Sequence, residues 1–295
     1  MMSNIKEIII KIWQRGYLNH LPDKMFLKLL FRVRMGKKLD LKNPKTFSEK
    51  LQWLKLYDRK PEYTIMVDKY EAKKYVADII GEEYIIPTLG VWDSVDEIDF
   101  DKLPEKFALK CTHNSGKGMY ICKDKSKMNK EAVKEGLRSG LKQNYYLSNR
   151  EWPYKDVKPR IIAEQYMEDV ETAELRDYKF FCFGGEAKAL FIATDRAKED
   201  TETKFDFFDM DFNHLPFTNG HPNAEILPQK PLNFELMKEL AAKLSAGVPH
   251  LRVDFYEVNG KVYFGELTFF HWGGFVPFEP EEWDYTFGSW INLKG

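Results

Sequence analysis

The sequence is poor in the residues that hold disulfide-stabilised or zinc-stabilised proteins together. Among its 295 residues are three cysteines, Cys111, Cys122 and Cys182, with no CxxC pair, and six histidines with no HExxH pair. An odd, scattered set of cysteines argues against a disulfide framework or a zinc ribbon and favours a reducing compartment. We therefore expect a cytoplasmic protein that is stabilised by its own core.

The sequence also lacks an apolar run of the roughly 20 residues that a membrane-spanning helix needs. Residues 1–20 carry charges inside their apolar stretch, which predicts that they are not a secretory signal. The 45 basic and 46 acidic residues almost cancel, so the overall charge gives no reason to expect a nucleic-acid partner.

Charge is nevertheless uneven along the chain. Residues 1–50 hold twelve Lys and Arg but four Asp and Glu, interleaved with apolar residues such as Ile8, Ile12 and Leu27. Two interpretations fit this pattern. The segment is either a helical cap whose apolar face packs on the rest of the protein, or a peripheral contact with an anionic membrane surface.

Hydrophobic periodicity predicts a mixture of helices and β-hairpins. Residues 5–57 are typical of two or three helices, and Asp68 and Gly81 are placed to begin and end an amphipathic helix. Residues 200–232 predict a long loop with at most one short strand. The predicted hairpins span 106–123, 177–196 and 250–270, and further helices are predicted within 129–147 and 233–247.

The tip of the first hairpin, CTHNSGKGMY at residues 111–120, combines glycines with Lys117, and Lys110 stands just before it. The stretch is not a GxxxxGK[ST] loop, because Gly118 stands where Ser or Thr is required, and it does not open a helix. Two interpretations remain. It is a flexible loop whose amides hold a phosphate with Lys110 behind them, or it is a plain turn between strands.

The order of the segments carries more information than any one of them. The stretches FALKCTHNSGKG, NYYLSNREWPYKDVKPRIIAEQYMED, DYKFFCFGG and LRVDFYEVNGKVYFGELTFFHWGGF follow one another along the chain. This succession resembles the ATP-grasp superfamily, and in particular its TupA-like branch, over about residues 45–290. That branch is associated with the synthesis of teichuronopeptide and capsular polysaccharide.

The resemblance implies an α+β protein with the ATP-grasp fold, in which two α+β subdomains hold ATP between them. A helical N-terminal region, 1–66, and a pre-grasp segment, 67–106, are expected to come first. The implied lid subdomain covers 107–165 and the implied C-terminal subdomain 166–295.

The resemblance also implies the ATP site. Lys110 is expected on the α and β phosphates, the glycine loop over the β and γ phosphates, and Glu164 on the adenine amine at a hinge between the subdomains. Asp177 is expected near the ribose or the phosphates. The implied ATP-binding residues are Lys69, Lys110, Asn114, Ser115, Gly116, Lys117, Gly118, Glu164, Gln165, Tyr166, Met167, Asp177 and Lys179.

For Mg²⁺ the resemblance implies Asp254 and Glu266, with Thr268 where the family usually has Asn. Arg196 and Arg252 are the implied catalytic residues, because a guanidinium suits a γ-phosphate or a developing tetrahedral intermediate. Mg²⁺ in such sites takes one or two carboxylates together with phosphate oxygens and water.

If Asp254 and Glu266 share a metal ion, both side chains must lie on the same face of the last hairpin. If Asn259-Gly260 is a two-residue turn, Asp254 lies opposite Gly265 and Glu266 points to the other face of the sheet. A three-residue turn with a bulge puts both carboxylates on one face with Arg252. The sequence thus predicts that a shared metal requires the longer turn.

The segment FFHWGGF adds His271, Gly273 and Gly274 as candidates for the substrate pocket, because glycine lets backbone approach a ligand closely. An aromatic turn in the core is the alternative.

The family implies an ATP-dependent carboxylate–amine ligase that works through an acyl phosphate. Its expected partners are ATP, a uronic-acid or other carbohydrate or amino-acid carboxylate, and an amine donor. A phosphotransferase with the same ATP site stays open. So does a nucleotide-sugar glycosyltransferase, for which Asp209-Met210-Asp211 has the DxD spelling.

Overall fold

The computed structural model describes residues 2–170, 175–195 and 202–293, and in the first helix the side chains from residue 7 onward. The helices are α1 Met2–Gln14, α2 Asp23–Met35, α3 Phe47–Tyr57, α4 Glu62–Val67, α5 Glu71–Ile80, α6 Lys130–Leu141, α7 Tyr146–Asn149, α8 Phe234–Leu244 and α9 Glu282–Trp290. The strands are β1 Thr88–Trp92, β2 Phe107–Cys111, β3 Met119–Cys122, β4 Ile161–Gln165, β5 Asp177–Phe183, β6 Glu186–Thr194, β7 Lys204–Phe208, β8 His214–Leu215, β9 Thr218–Asn219, β10 Leu251–Val258, β11 Lys261–Thr268 and β12 Phe278–Glu279.

The first sheet is antiparallel, with strand order β1-β4-β2-β3. Along β2 the side chains alternate between buried and half-buried, so that Phe107 and Leu109 join the core that α6 covers while Lys110 faces the opposite side. Strand β1 comes from the segment predicted to precede the lid subdomain. The sheet therefore begins before residue 107.

The second sheet has the order β11-β10-β5-β6-β7-β8. Its strand β5 is buried along its whole length, because both faces are covered. Phe180 points toward Phe234 of α8, whereas Phe181 points toward Phe47 of α3 and Phe287 of α9. By the same alternation, Asp177 and Lys179 lie on the Phe181 face.

The N-terminal helices act as a cap, as one interpretation of the sequence proposed. Phe26, Leu27, Leu30 and Phe31 of α2 form a buried cluster with Phe275. Helix α3 begins with a capping box between Thr46 and Glu49, which fixes its direction onto α9. No helix among the described residues is long and apolar enough to cross a membrane.

Residues 202–232 are more ordered than the composition of the predicted loop 200–232 indicates; residues 200–201 lie outside the described part of the chain. Strand β7 pairs with β6 and is buried through Phe205, Phe207 and Phe208, and β8 and β9 follow it. The alternating Phe and Asp residues of KFDFF gave too short a pattern for a firm strand assignment.

Candidate functional site: a cleft between the two sheets

The glycine loop between β2 and β3 has a fixed base. The side-chain amide of Asn114 donates to the carbonyl of Gly140 at 3.0 Å, and the ammonium of Lys69 donates to the Asn114 carbonyl at 2.6 Å. Gly118 has a φ of +70°, and a Cβ there would lie 2.5 Å from a side chain of β2. Residues 115–117 are exposed. The loop therefore presents a solvent-exposed tip on an anchored frame.

A buried carboxylate organises the lysines behind the loop. Glu164 Oε1 lies 2.6 Å from Lys73 Nζ, and its Oε2 lies 2.7 Å from Lys110 Nζ. Burial works to raise the pKa of Glu164, but Lys110 and Lys73 outweigh it and bring the pKa down to about 2. Both of its oxygens thus accept from lysines, whereas the sequence predicted an adenine amine as the partner.

Two adjoining cavities lie between the sheets. One, of about 250 Å³, runs along the glycine loop to Glu266, and the other, of about 410 Å³, lies beside the predicted hinge and includes Ile121 and Ala193. Lys110, Glu164 and Asp177 line both. Every predicted ATP-binding residue lines one or both cavities. One cavity is thus rich in lysine and loop backbone and the other is mainly apolar.

The last hairpin, β10 and β11, places Asp254 and Glu266 on the same face by a route other than the predicted longer turn. Its turn is the two-residue one, since Val258 pairs with Lys261 and Asn259 and Gly260 both have positive φ. Asp254 nevertheless pairs with Glu266, because Gly265 is an extra residue that bulges out between Glu266 and Phe264. The prediction that one face requires a three-residue turn was wrong.

The bulge gathers charged groups on one face. Arg252 donates from Nε to Asp254 Oδ1 and from Nη2 to Asp254 Oδ2, both at 2.7 Å, and from Nη2 to Glu266 Oε1 at 2.9 Å and Thr268 Oγ1 at 3.0 Å. Lys179 also donates to Asp254 Oδ2. The neighbouring strand thus supplies a second cation.

The two carboxylates differ in access. Asp254 has no exposed surface, whereas 40% of the Glu266 side chain is exposed and lines the cleft. Burial of the Glu266 carboxyl works to raise its pKa, but Lys179, Arg252 and Lys69 hold the pKa at about 2. Glu266 is therefore an open, ionised ligand at the end of the lysine-rich cavity.

This donor set fits Mg²⁺ held between protein and phosphate. Each carboxylate oxygen offers about two lone pairs, and Asp254 Oδ1 uses one of them on Arg252. Among the described residues no three His, Cys, Asp or Glu side chains gather as a metal cage. Magnesium bound through one or two carboxylates, phosphate and water does not need such a cage.

The FFHWGGF turn is packed inside the protein. Gly273 and Gly274 carbonyls accept from Gln52 at 3.0 and 3.1 Å, and a Cβ at Gly273 would lie 2.8 Å from Asn149. His271 is 3% exposed. The close approach that these glycines permit is therefore to other parts of the chain, which corrects their expected place in a substrate pocket.

Sequence reasoning missed two residues of the cleft. Lys73 lies one helical turn after Lys69 on the cleft side of α5, a spacing that gives a usable signal. Tyr154 lies in a short 3₁₀ turn after α7, and burial raises the pKa of its phenol well above the ordinary value, so that it stays protonated. Nothing in its sequence context marks it.

Two other candidates lie elsewhere. Arg196 is outside the described residues. In the DMD stretch, Asp209 accepts from the backbone of Asp211 and Asn213 at 3.0 and 2.8 Å, so its carboxylate closes the turn between β7 and β8.

Comparison with known proteins decides the family. The family model described as TupA-like ATPgrasp matches residues 49–292, most of the chain. The chain belongs to the TupA-like ATP-grasp family. The expected ATP-grasp fold behind a helical N-terminal region is thereby confirmed.

Solved structures similar to this TupA-like protein include D-alanine–D-alanine ligases. That of Bacillus anthracis complexed with ATP is 14% identical, with 69% of this chain and 53% of that chain covered and a TM-score of 0.40. The Helicobacter pylori enzyme is also 14% identical, with 83% and 69% covered and a TM-score of 0.45.

Another similar structure is the biotin carboxylase domain of the Hydrogenobacter thermophilus 2-oxoglutarate carboxylase, in complex with MgADP, ADP and bicarbonate. It is 14% identical, with 78% of this chain and 47% of that chain covered and a TM-score of 0.43. The chain thus spans about half the length of several proteins that it resembles. No curated protein matches it.

Proposed function

We propose that this protein is an ATP- and Mg²⁺-dependent carboxylate–amine ligase that forms an amide through an acyl phosphate. Its substrate is a uronic acid or amino acid used in surface polysaccharide synthesis in the cytoplasm. The observation that carries the proposal is the pairing of Asp254 with Glu266, at the end of a lysine-rich cleft in a member of the ATP-grasp family.

The residues divide the work along the cleft. The apolar cavity beside Tyr166 and Met167 suits adenine, and Lys69, Lys110 and the tip 115–117 suit the phosphates. Asp254 and Glu266 would hold Mg²⁺, which neutralises charge on the terminal phosphates when bound.

The reaction needs no side-chain nucleophile. The substrate carboxylate attacks the γ-phosphorus, ADP leaves, and the amine then attacks the acyl carbon and expels phosphate. Arg252, fixed beside Glu266 at 2.9 Å, would stabilise the negative charge that develops in both steps.

The glycosyltransferase alternative has less support, because the DMD stretch lies in the turn that Asp209 closes between β7 and β8 and does not line the cleft. The phosphotransferase alternative keeps every residue of the ATP site and differs in the acceptor.

The test is a screen of the purified protein for ADP release with Mg²⁺, candidate uronates or amino acids, and amines. The proposal expects ADP, phosphate and an amide in equal amounts for a matching pair. Binding of UDP-sugar in place of ATP, or a phosphate ester as the product, contradicts it.

We further propose that α2 meets an anionic lipid surface. Lys24, Lys28 and Arg32 lie four residues apart on its exposed face, and none of them makes an ion pair with a described residue; Met25 beside them is 58% exposed. Residues 1–50 carry a net charge of +8 in a chain whose total is −1, so positive charge is concentrated at one end.

Sedimentation with phosphatidylglycerol vesicles tests this contact. Binding should fall with added salt and should be lost when all three cations are changed to Glu. The same change at Lys74, Lys102 and Lys127, exposed elsewhere, is the control. Equal binding by both variants would contradict the contact.

A further inference from the structure

The guanidinium of Arg252 is held from two sides. Its Nε and Nη2 donate to Asp254, as described above, while its Nη1 lies 2.9 Å from His271 Nδ1. The imidazole is enclosed by the rings of Phe181 and Phe191, at centroid distances of 5.0 and 5.4 Å. The orientation of Arg252 therefore depends on an acceptor outside the carboxylate cluster.

The hydrogen bonds fix the tautomer of His271. Arginine has no acceptor, so Nδ1 must accept and carry no proton. Nε2 lies 3.0 Å from Asn219 Oδ1 and donates its proton to it. The amide of Asn219 is itself oriented, because its Nδ2 donates to the carbonyls of Val276 and Pro277 at 3.1 and 3.0 Å.

The surroundings keep this imidazole neutral. Burial first, and then Arg252, His250 and Lys179, hold the pKa of His271 well below its ordinary value. A neutral acceptor satisfies an N–H of the guanidinium without adding a third anion to Asp254 and Glu266, which already contact it. A third carboxylate in the same place would neutralise the guanidinium further.

We infer that Asn219 and His271 form a positioning pair for Arg252. Asn219 holds His271 as the Nε2–H tautomer. His271 Nδ1 accepts from Nη1 and so fixes the plane of the guanidinium, whose Nε and Nη2 donate to Asp254. The inference rests on the catalytic part proposed for Arg252. It places His271 behind the reacting groups, whereas the sequence left open either a contact with substrate or a place in an aromatic turn of the core.

The variant Asn219→Asp tests the pair, because it should make kcat depend on the protonation of His271. A carboxylate beside Nε2–H raises the pKa of His271, and below that pKa Nδ1 gains a proton and no longer accepts from Arg252. We expect kcat to fall about tenfold on the acid side and to recover as pH rises, with KM for ATP changed less than about twofold.

Asn223→Asp is the matched control. Asn223 also donates its amide to two carbonyls, those of Phe205 and Phe217 at 2.8 and 3.2 Å, so the control loses the same kind of contacts without facing His271. A loss of kcat that is equal at every pH, or the same in both variants, overturns the inference.

A second measurement is independent of activity. Nitrogen-15 NMR of histidine-labelled wild-type protein should show His271 as the Nε2–H tautomer, with Nδ1 unprotonated through about pH 6.5, where an ordinary histidine titrates. A proton on Nδ1 overturns the inference even if the variant does not fold. Failure of the wild-type protein to bind ATP would instead contradict the proposed function and leave the tautomer intact.

Discussion

Arg252 and Asp254 stand two residues apart on β10 and form a two-pronged ion pair inside the second sheet, with both N–O distances at 2.7 Å. Lys179 reaches the same carboxylate from β5, and Asp254 has no exposed surface. Asp254 therefore supports the fold as well as serving as a candidate metal ligand, and a change there has two effects.

Asp254→Asn should lower the free energy of unfolding by a few kcal/mol, because it removes the nearest counter-charge of two buried cations and leaves Arg252 only Glu266 and Lys179 only Asp177 as charged partners. Urea denaturation measures this loss. Adding Lys179→Met to Asp254→Asn removes one of the two cations that lose their nearest counter-charge and should restore part of the loss. An unchanged unfolding midpoint for Asp254→Asn would show that the carboxylate is not the partner of these cations.

Glu266→Gln acts more on chemistry than on stability. The Glu266 side chain is 40% exposed, so solvent screens its ion pair with Arg252 and the neutral amide should cost less stability than Asp254→Asn does, while the change removes the open carboxylate offered to Mg²⁺. We expect turnover to fall by about a thousandfold or more, with an unfolding midpoint between those of Asp254→Asn and the wild-type protein. Glu186→Gln, an exposed strand glutamate far from the cleft, is the control. Full activity of Glu266→Gln would remove the metal assignment.

Lys73→Met tests the lysine that the sequence did not reveal. Lys73 Nζ lies 2.6 Å from Glu164 and lines the cleft, so its loss should weaken ATP binding about tenfold, measured by calorimetry. The neighbouring Lys74 is exposed and paired with Asp78. Lys74→Met should therefore bind ATP as the wild-type protein does, and equal weakening of both variants would argue against a local contact.

The stability that Glu164 contributes, measured as the difference between the wild-type protein and Glu164→Gln, should depend on pH. The pKa of Glu164 is about 2 in the folded protein and below that of an unfolded glutamate, so its contribution is complete above about pH 5 and is lost as pH falls toward 2. The wild-type protein should exceed the variant by on the order of 3 kcal/mol at neutral pH. Denaturation curves from neutral to acid pH measure the difference. A difference that stays constant down to the lowest pH would contradict the pairing.

The sequence allowed the local elements of the site to be predicted. Helix α5 was visible in its apolar spacing and in Gly81 at its end, but it begins at Glu71, and Asp68, predicted to cap it, accepts from the Tyr70 amide at 2.9 Å in the turn before it. The turn Asn259-Gly260 carried its own signature. These features depend on residues close together in the chain.

Contacts between distant residues were harder to foresee. The bulge at Gly265 depends on how β11 meets β10, and a glycine in a strand indicates a bulge without giving its register. The partners of Glu164 on β4 come from α5, far away in the chain, and from β2, the strand that pairs with β4 in the first sheet. His271 looked like a ligand-facing residue because its enclosing rings, Phe181 and Phe191, come from other strands.

The most direct test of the proposed chemistry follows oxygen from the carboxylate. With a carboxylate substrate labelled with oxygen-18, an acyl phosphate must pass one labelled oxygen to the phosphate that is released with the amide. Phosphorus-31 NMR distinguishes labelled from unlabelled phosphate. The account predicts one oxygen-18 atom in each phosphate formed; unlabelled phosphate, or phosphate retained as an ester on a hydroxyl, contradicts it.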